Sequence, residues 1–449
     1  MKNIEQFIGK RVLVVGLAKS GLATAGLLRR LGAEVVVNDA KPLEGNEEAA
    51  ELQAQGVEVI GGGHPVDLLE RGFDFIVKSP GIPYSNPLIA KAVAANSTIW
   101  TEIELAGIIS EAPTIAITGS NGKTTTTTLL YHMLNIGKKK PLIAGNIGTV
   151  ACTVAEEAKS DEVMVLEASS FQLAGTENFK PKIAIFTNLY EAHLDYHGSI
   201  DEYLEAKLQV ARNQTMDDFL IYNDDQKVVS RSVESLSSQK VPFSVEGKKT
   251  TGISADEEWI YWLGEPFIET RIIKLPGRHN LENILAATAA AILSGCEKSA
   301  IENVLSSFTG VRHRMQYVRE LKGRTIYNDS KATNTLATKS ALSSFRTPIV
   351  LIAGGLERGH SFEELRPYMA NVRVVVAIGE TAQRFTEFAT SCGVPQTFIA
   401  STMPDAVQIA YESSAEDDVI LLSPSCASWD QYPNFEIRGD QFIEAVMKL

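Results

Sequence analysis

Apolar residues along this chain fall into short, nearly unbroken blocks, separated by longer stretches where they recur every three or four positions. The first block is Arg11-Val-Leu-Val-Val-Gly16, followed by a helix-compatible stretch to Leu31, a second block at Glu34–Asn38 and a third at 73–78. Such blocks are strands buried on both faces. Their alternation with helical segments predicts a parallel sheet covered by helices. A second series begins at Thr114–Thr118 and continues with Val163–Glu167 and 183–187. Residues 251–275 differ: they alternate and carry aromatics, as antiparallel strands do. The Ala-rich stretch 280–293 is apolar nearly all round and predicts a buried helix. After Phe308-Thr-Gly310 a third series places strands at 325–328, Ile349–Ala353, 372–378, 397–399 and Val419–Leu422. Ser199 with Glu202 and Ser361 with Glu364 have capping-box spacing and predict helix starts. The expected fold is α/β in three domains, 1–100, 101–310 and 311–449, each alternating strand and helix.

Composition narrows this little. The 449 residues are 44% hydrophobic and 22% charged, as in ordinary soluble proteins. The formal charge of −13 argues against nucleic acid or an anionic membrane as partner, but not against a negatively charged small molecule. Cys152, Cys296, Cys392 and Cys426 are scattered, which fits a reducing compartment without disulfides or a zinc knuckle. No secretory h-region and no apolar run of roughly 20 residues is present, so a cytoplasmic protein is expected.

Chemistry concentrates in loops that follow predicted strands. In Thr118-Gly-Ser-Asn-Gly-Lys-Thr124 a strand leads in and a helix-compatible stretch leads out. The backbone N–H groups of such a loop cradle phosphates, the lysine reaches the terminal phosphates, and the last hydroxyl suits Mg²⁺. The strict Gly-x₄-Gly-Lys pattern fails, because Ile117 stands at its first glycine and Gly119 is present instead. The run Thr124–Thr128 is poor in helix propensity, so a helix there must be held by packing or ligand. The turn Gly16-Leu-Ala-Lys-Ser-Gly21 resembles a dinucleotide fingerprint with Ala18 in the middle position, and Asp39 follows the second strand where an acid can bond a ribose. Glu167 ends an apolar strand at the edge where open α/β sheets bind ligands. His193 and Asp195 follow another strand. Lys207 shares a helix face with Tyr203 and Val210; on its own it reads as a snorkelling lysine. Three loops of the third block, 328–334, 354–358 and 423–428, occupy one position after their strands and suggest a single binding face.

Together these residues resemble the Mur ligase family of peptidoglycan synthesis over the whole chain. The likeness runs through residues 118–124, Ala144-Gly-Asn-Ile-Gly148, Leu166-Glu-Ala-Ser-Ser-Phe-Gln-Leu173, His193 and Lys207. It continues in Gly277-Arg-His-Asn-Leu-Glu-Asn283, His313-Arg314, Asp329-Ser-Lys-Ala-Thr-Asn334 and Ser423-Pro-Ser-Cys-Ala-Ser-Trp-Asp-Gln431. The last two motifs point to the members that add D-glutamate. The resemblance implies a monomeric ligase that uses ATP and two Mg²⁺ ions to join D-glutamate to UDP-N-acetylmuramoyl-L-alanine through an acyl-phosphate. Residues 1–100 would be Rossmann-like, 101–310 of P-loop ATPase type and 311–449 Rossmann-like, and Lys123, His193 and Lys207 would be catalytic. Gly119, Ser120, Asn121, Gly122, Lys123, Thr124 and Thr125 would hold ATP, with Asn280, Asn283, Arg314 and Asp329. Leu17, Ala18, Asp39 and Gly81 would take the UDP part, with Asn146, Ser169 and Gln172 near the muramoyl-alanine end. Lys331, Thr333, Arg358, Ser428 and Phe435 would bind D-glutamate. Thr124 and Glu167 would ligate one Mg²⁺, His193 and Lys207 the other, with Lys207 as a carbamate, since a hard cation prefers oxygen. A dinucleotide oxidoreductase built on residues 11–39 is the competing class; it leaves the Gly-Lys-Thr loop unexplained.

Overall fold

The computed structural model describes residues 1–449; the side chains of Val66 and Asp195 lie outside what it describes. Two compact units form: Met1–Ile272 with Glu282–Ser306, and Ile273–Leu281 with Ser307–Leu449.

The first unit contains two sheets. One is all parallel, in the order Glu58–Ile60, Glu34–Asn38, Arg11–Val15, Phe75–Lys78, Ile99–Trp100. Val12 and Val14 of its central strand pack into one core and Leu13 and Val15 into another. Burial on both faces is what the unbroken apolar block encodes. The second sheet has nine strands. Pro141–Gly145, Val163–Glu167, Thr114–Thr118, Ile183–Phe186, Phe219–Asn223 and Gln239–Ser244 run parallel in that order. Ile253–Ala255 continues them in parallel, and the antiparallel strands Trp259–Trp262 and Glu265–Glu269 complete the sheet, as the alternation in 251–275 predicts. Glu265–Glu269 is the outer edge, with Glu265 and Pro266 exposed.

The threonine run does become helix, Lys123–Ile136, and packing holds it: Thr126 and Thr127 are fully buried. The Ala-rich segment is the helix Arg278–Leu293.

The second unit has one six-stranded sheet: Gln316–Leu321, Arg324–Asn328, Val419–Leu422, Ile349–Ala353, Val372–Ala377, Gln396–Ile399. Only its first strand is antiparallel. Leu351 faces one core and Val350 and Ile352 the other. The predicted capping box at Ser361 is absent. The segment Glu363–Asn371 is a 3-10 helix with Pro367 inside it, which lacks the N–H an α-helix needs there. Ser361 Oγ accepts instead from the Glu363 N–H (3.2 Å), and Glu364 accepts from Thr335 Oγ1 (3.2 Å). Ser199 does cap its helix, accepting from the Glu202 N–H at 3.1 Å. Among the described residues no helix is long and apolar enough to cross a membrane.

Candidate active site

The strands Thr114–Thr118, Val163–Glu167 and Ile183–Phe186 are neighbours, with Ile117 opposite both Glu167 and Ile185. Their carboxyl ends therefore bring the Gly-Lys-Thr loop, Glu167 and residues 187–193 to one edge, where ligands of such sheets bind.

The loop is pinned from beneath. Asn188 Oδ1 accepts from the Asn121 N–H (2.8 Å), and Thr187 Oγ1 donates to the Asn121 carbonyl (2.7 Å). Ser120 Oγ accepts from the Tyr190 N–H (2.9 Å) and lies 3.1 Å from Tyr203 Oη. Gly119 has φ +148°, and a Cβ there would stand 1.9 Å from Thr187 Oγ1. Gly122 has φ +83°, and a Cβ there would stand 2.0 Å from Asn283 Oδ1, the oxygen that also accepts from Thr126 Oγ1. The sequence's departure from the strict pattern thus has a physical reason: the glycine is needed at 119, against Thr187. Gly119→Ala should cost about 2–4 kcal/mol through overpacking and backbone strain. Chemical denaturation of the variant measures it, and a loss below about 0.5 kcal/mol, the usual range for a surface change, would contradict this packing.

Lys123 Nζ donates to the carbonyls of Gly119 (2.8 Å) and Ser120 (3.0 Å). Lys207 Nζ donates to the same Gly119 carbonyl at 2.8 Å and lies 4.4 Å from the Tyr203 ring centroid. Lys207 does not snorkel: it is 1% exposed and forms no ion pair among the described residues. Burial, and then the charge of Lys123, hold its pKa well below the usual lysine value. His193 is exposed, in a left-handed conformation (φ 57°) at the N-cap of the one-turn helix Leu194–His197, with Phe171 edge-on at 4.9 Å. Asp195, its sequence neighbour, has its side chain outside the described residues.

Glu167 is 1% exposed. Its Oε1 accepts from Asn146 Nδ2 (2.7 Å), while Oε2 has no hydrogen-bond partner among the described residues. A buried carboxylate oxygen left open at the sheet edge that carries a phosphate loop is the donor chemistry of a hard divalent cation. Thr124 opens the helix that follows that loop and is buried. On the neighbouring turn Ser169 and Gln172, at Ser-x-x-Gln spacing, form a full capping box, and Gln172 Nε2 donates to Glu102 Oε1 at 2.9 Å. Burial raises the Glu102 pKa to about 7.

In the first sheet Asp39 accepts from the N–H groups of Leu17 (2.6 Å) and Lys41 (2.8 Å), closing the Gly16–Gly21 turn. A Cβ at Gly21 would lie 1.8 Å from the Gly16 carbonyl oxygen, so this turn requires glycine. Ala18 is the N-cap of the helix Lys19–Arg30, and the space around Gly81 is open.

In the second unit, strands Arg324–Asn328, Val419–Leu422 and Ile349–Ala353 are adjacent and parallel, so the three predicted loops meet. Asp329 accepts from Ser423 Oγ (3.0 Å) and the Met315 N–H (3.1 Å), and burial raises its pKa to about 7. The Leu356 N–H donates to the Ala427 carbonyl (2.9 Å). Lys331 Nζ lies 4.9 Å from the Phe435 ring centroid, and Arg358 stacks at 4.7 Å on the exposed Trp429. Ser428 is 1% exposed and its hydroxyl has no partner among the described residues. Thr333 is half-buried two residues beyond Lys331. Arg438, which sequence reasoning missed, stitches these loops: its guanidinium donates to Ser330 Oγ (3.1 Å) and to the carbonyls of Ser330 (2.8 Å) and Cys426 (3.1 Å). Asn280 donates to the Pro276 carbonyl (2.6 Å) in this same unit.

Comparison with known proteins matches the chain in three segments. Residues 10–101 match the Mur ligase MurD-like N-terminal domain, 117–291 the Mur ligase middle domain, and 313–426 the Mur ligase glutamate ligase domain. The chain is 53% identical to a UDP-N-acetylmuramoylalanine–D-glutamate ligase of Bacillus cereus (strain G9842) and 52% identical to one of Geobacillus kaustophilus (strain HTA426), each alignment covering 100% of both chains. Its fold resembles that of a MurF ligase from Thermotoga maritima in complex with ADP, with a TM-score of 0.58 at 16% identity over 100% of both chains. It also resembles a UDP-N-acetylmuramate-alanine ligase of the same organism, with a TM-score of 0.57 at 20% identity, covering 98% of this chain and 99% of the other. With full-length identity of this order, and matches to all three domains, the chain belongs to the Mur ligase family.

Proposed function

We propose that this protein is an ATP-dependent ligase of peptidoglycan synthesis, acting in the cytoplasm as a monomer, that joins the amine of D-glutamate to the L-alanine carboxylate of UDP-N-acetylmuramoyl-L-alanine. The observation that carries the proposal is the meeting of Lys123 and Lys207 on one carbonyl, at the sheet edge that also holds the open Glu167 oxygen, in a chain 53% identical to a ligase of that name.

Residues 1–100 bind the UDP part through Leu17, Ala18, Asp39 and Gly81. Residues 101–310 bind ATP along 119–125, with Asn280 and Asn283. Residues 311–449 present D-glutamate through Lys331, Thr333, Arg358, Ser428 and Phe435, while Arg314 and Asp329 reach the nucleotide. Asn146, Ser169 and Gln172 flank the L-alanine carboxylate. That carboxylate attacks the γ-phosphate of ATP, two anions meeting, and ADP leaves as the acyl-phosphate forms. Lys123 turns from the loop carbonyls to the phosphates and offsets their repulsion. Mg²⁺ held by Thr124 and Glu167, with a second ion at His193 and Lys207, would neutralise further charge there. The amine of D-glutamate then displaces phosphate from the acyl-phosphate and forms the amide.

The environment of Lys207 favours a carbamate. Only a neutral amine attacks CO₂, and burial, then the charge of Lys123, lowers the pKa of this one and so favours its neutral form. The N–C bond forms, a proton leaves, and the side chain then ends in a carboxylate that donates oxygen. Protein equilibrated with ¹³C-bicarbonate should show a carbamate carbon resonance that is absent in Lys207→Ala. That variant should lose turnover and recover part of it in a buffer containing a small carboxylate. A plain ammonium beside bound Mg²⁺ and nucleotide would refute the carbamate.

The function itself is tested by phosphate release from ATP with UDP-N-acetylmuramoyl-L-alanine and a panel of amino acids. Release should require D-glutamate. Release that is independent of the UDP substrate would overturn the proposal.

A further inference from the structure

Lys78, the last residue of the strand Phe75–Lys78, is 1% exposed and has no acidic partner among the described residues. Its Nζ donates to the Ile82 carbonyl (3.0 Å) and to Tyr196 Oη (2.8 Å), and lies 4.7 Å and 5.6 Å from the ring centroids of Tyr84 and Tyr196. Desolvation pushes its pKa down to about 8. An ammonium buried without a counter-ion is costly, and an apolar side chain would serve folding better.

What this group touches gives it a use. Ile82 lies in the loop after the first-sheet strand, one residue beyond Gly81. Tyr196 lies in the one-turn helix that His193 caps, and the Tyr196 N–H donates to the His193 carbonyl (3.1 Å). Tyr196 Oη, taking its hydrogen bond from Lys78, is 3.0 Å from the Pro80 carbonyl and donates to it. Phe171 lies edge-on to both His193 (4.9 Å) and Tyr196 (4.4 Å), so the two rings share one support. The loop beside Gly81 and the His193 turn are therefore tied through a single ammonium and a single hydroxyl.

We infer that Lys78, acting through Tyr196, is a positioning residue that couples occupancy of the 79–82 loop by the uridine-diphosphate substrate to the placement of His193 at the Mg²⁺ site. The inference rests on the proposed function. A ligand that draws the loop into its bound position sets the His193 turn with it, and the coupling is reciprocal. Neither residue touches the reacting atoms.

The test is calorimetric. Binding of UDP-N-acetylmuramoyl-L-alanine to the full chain is measured with and without Mg²⁺ and a non-hydrolysable ATP analogue, for wild type, Lys78→Met and Tyr196→Phe. Wild type should bind the UDP substrate about tenfold more tightly when Mg²⁺ and the analogue are present. In both variants that tightening should disappear, the Mg²⁺ concentration for half-maximal turnover should rise about tenfold, and KM for D-glutamate should stay as in wild type. Tyr196→Phe removes one hydroxyl and leaves the ring against Phe171, so it decides the matter even if Lys78→Met does not fold. Variants that melt lower but keep the wild-type tightening would overturn the coupling, as would a wild type without tightening. A wild type that neither binds the UDP substrate nor turns over ATP with it would instead sink the proposed function.

Discussion

Exchanging D-glutamate for L-glutamate should lower kcat/KM by about 10⁴. Glutamate carries two carboxylates and an amine, and the loops of the second unit present cationic and hydroxyl groups in fixed positions. Lys331 is held over Phe435, Arg358 over Trp429, and Ser428 keeps a buried hydroxyl without a partner among the described residues. Arg438 ties the 330 and 426 loops together from beneath, so these groups do not rearrange freely to suit a ligand of the wrong hand. A mirror-image or shorter substrate leaves polar groups desolvated and unpaired, which is where discrimination of that size arises. D-aspartate should be rejected in the same way. Thr333→Ala and Ser428→Ala should raise KM for D-glutamate more than KM for ATP. Steady-state kinetics with the three amino acids measures all of this, and equal kcat/KM for both hands would leave only a Mur-type ligase of other specificity.

Lys123→Ala should reduce turnover by about 10²–10³ while the melting temperature barely moves. The lysine donates to two carbonyls of its own loop and is half-buried, so its removal leaves the cores of the fold untouched. On the proposed mechanism, what disappears is the cation that offsets the meeting of a carboxylate with a triphosphate. There is a second consequence. The charge of Lys123 helps hold the Lys207 pKa down, so removing it moves Lys207 back towards an ordinary lysine. The effects of Lys123→Ala and Lys207→Ala should therefore not add. Phosphate release from the two single variants and the double variant checks this. Activity of Lys123→Ala close to wild type would remove the residue from the mechanism.

Parallel strands such as residues 12–15 and 349–353 were legible because burial on both faces leaves an unbroken apolar block. Several strands went unread, Phe219–Asn223 among them although it carries such a block. Gln239–Ser244 carries Lys240 and Pro242, Gln316–Leu321 carries Arg319 and Glu320, and Pro141–Gly145 begins on proline. At Lys207 the face was right, since Tyr203 and Val210 are buried with it, but the snorkelling was wrong. What covers that face is the Gly119 carbonyl, 88 residues earlier in the chain, and no local pattern announces it. Arg438 was hidden similarly: with Glu436 and Asp440 beside it, the start of the helix Phe435–Lys448 reads as a solvated face, whereas its guanidinium turns inward to Ser330. Lys78 had a fainter signal, a lysine closing an apolar strand block, which burial alone turns into a question.

The outer strand Glu265–Glu269 bears on how the protein behaves in a crowded solution. An unpaired strand edge is a template onto which a second molecule can hydrogen-bond, and a nine-stranded sheet would seed growth well. Here that edge opens with an exposed glutamate and an exposed proline and closes with Glu269. Proline offers no N–H to an incoming strand, and the carboxylates of stacked copies would repel one another. Colloidal stability at high concentration is thus built into one short strand far along the sheet from the chemistry. Pro266 is where a single change to a β-branched residue would most readily make the protein sticky.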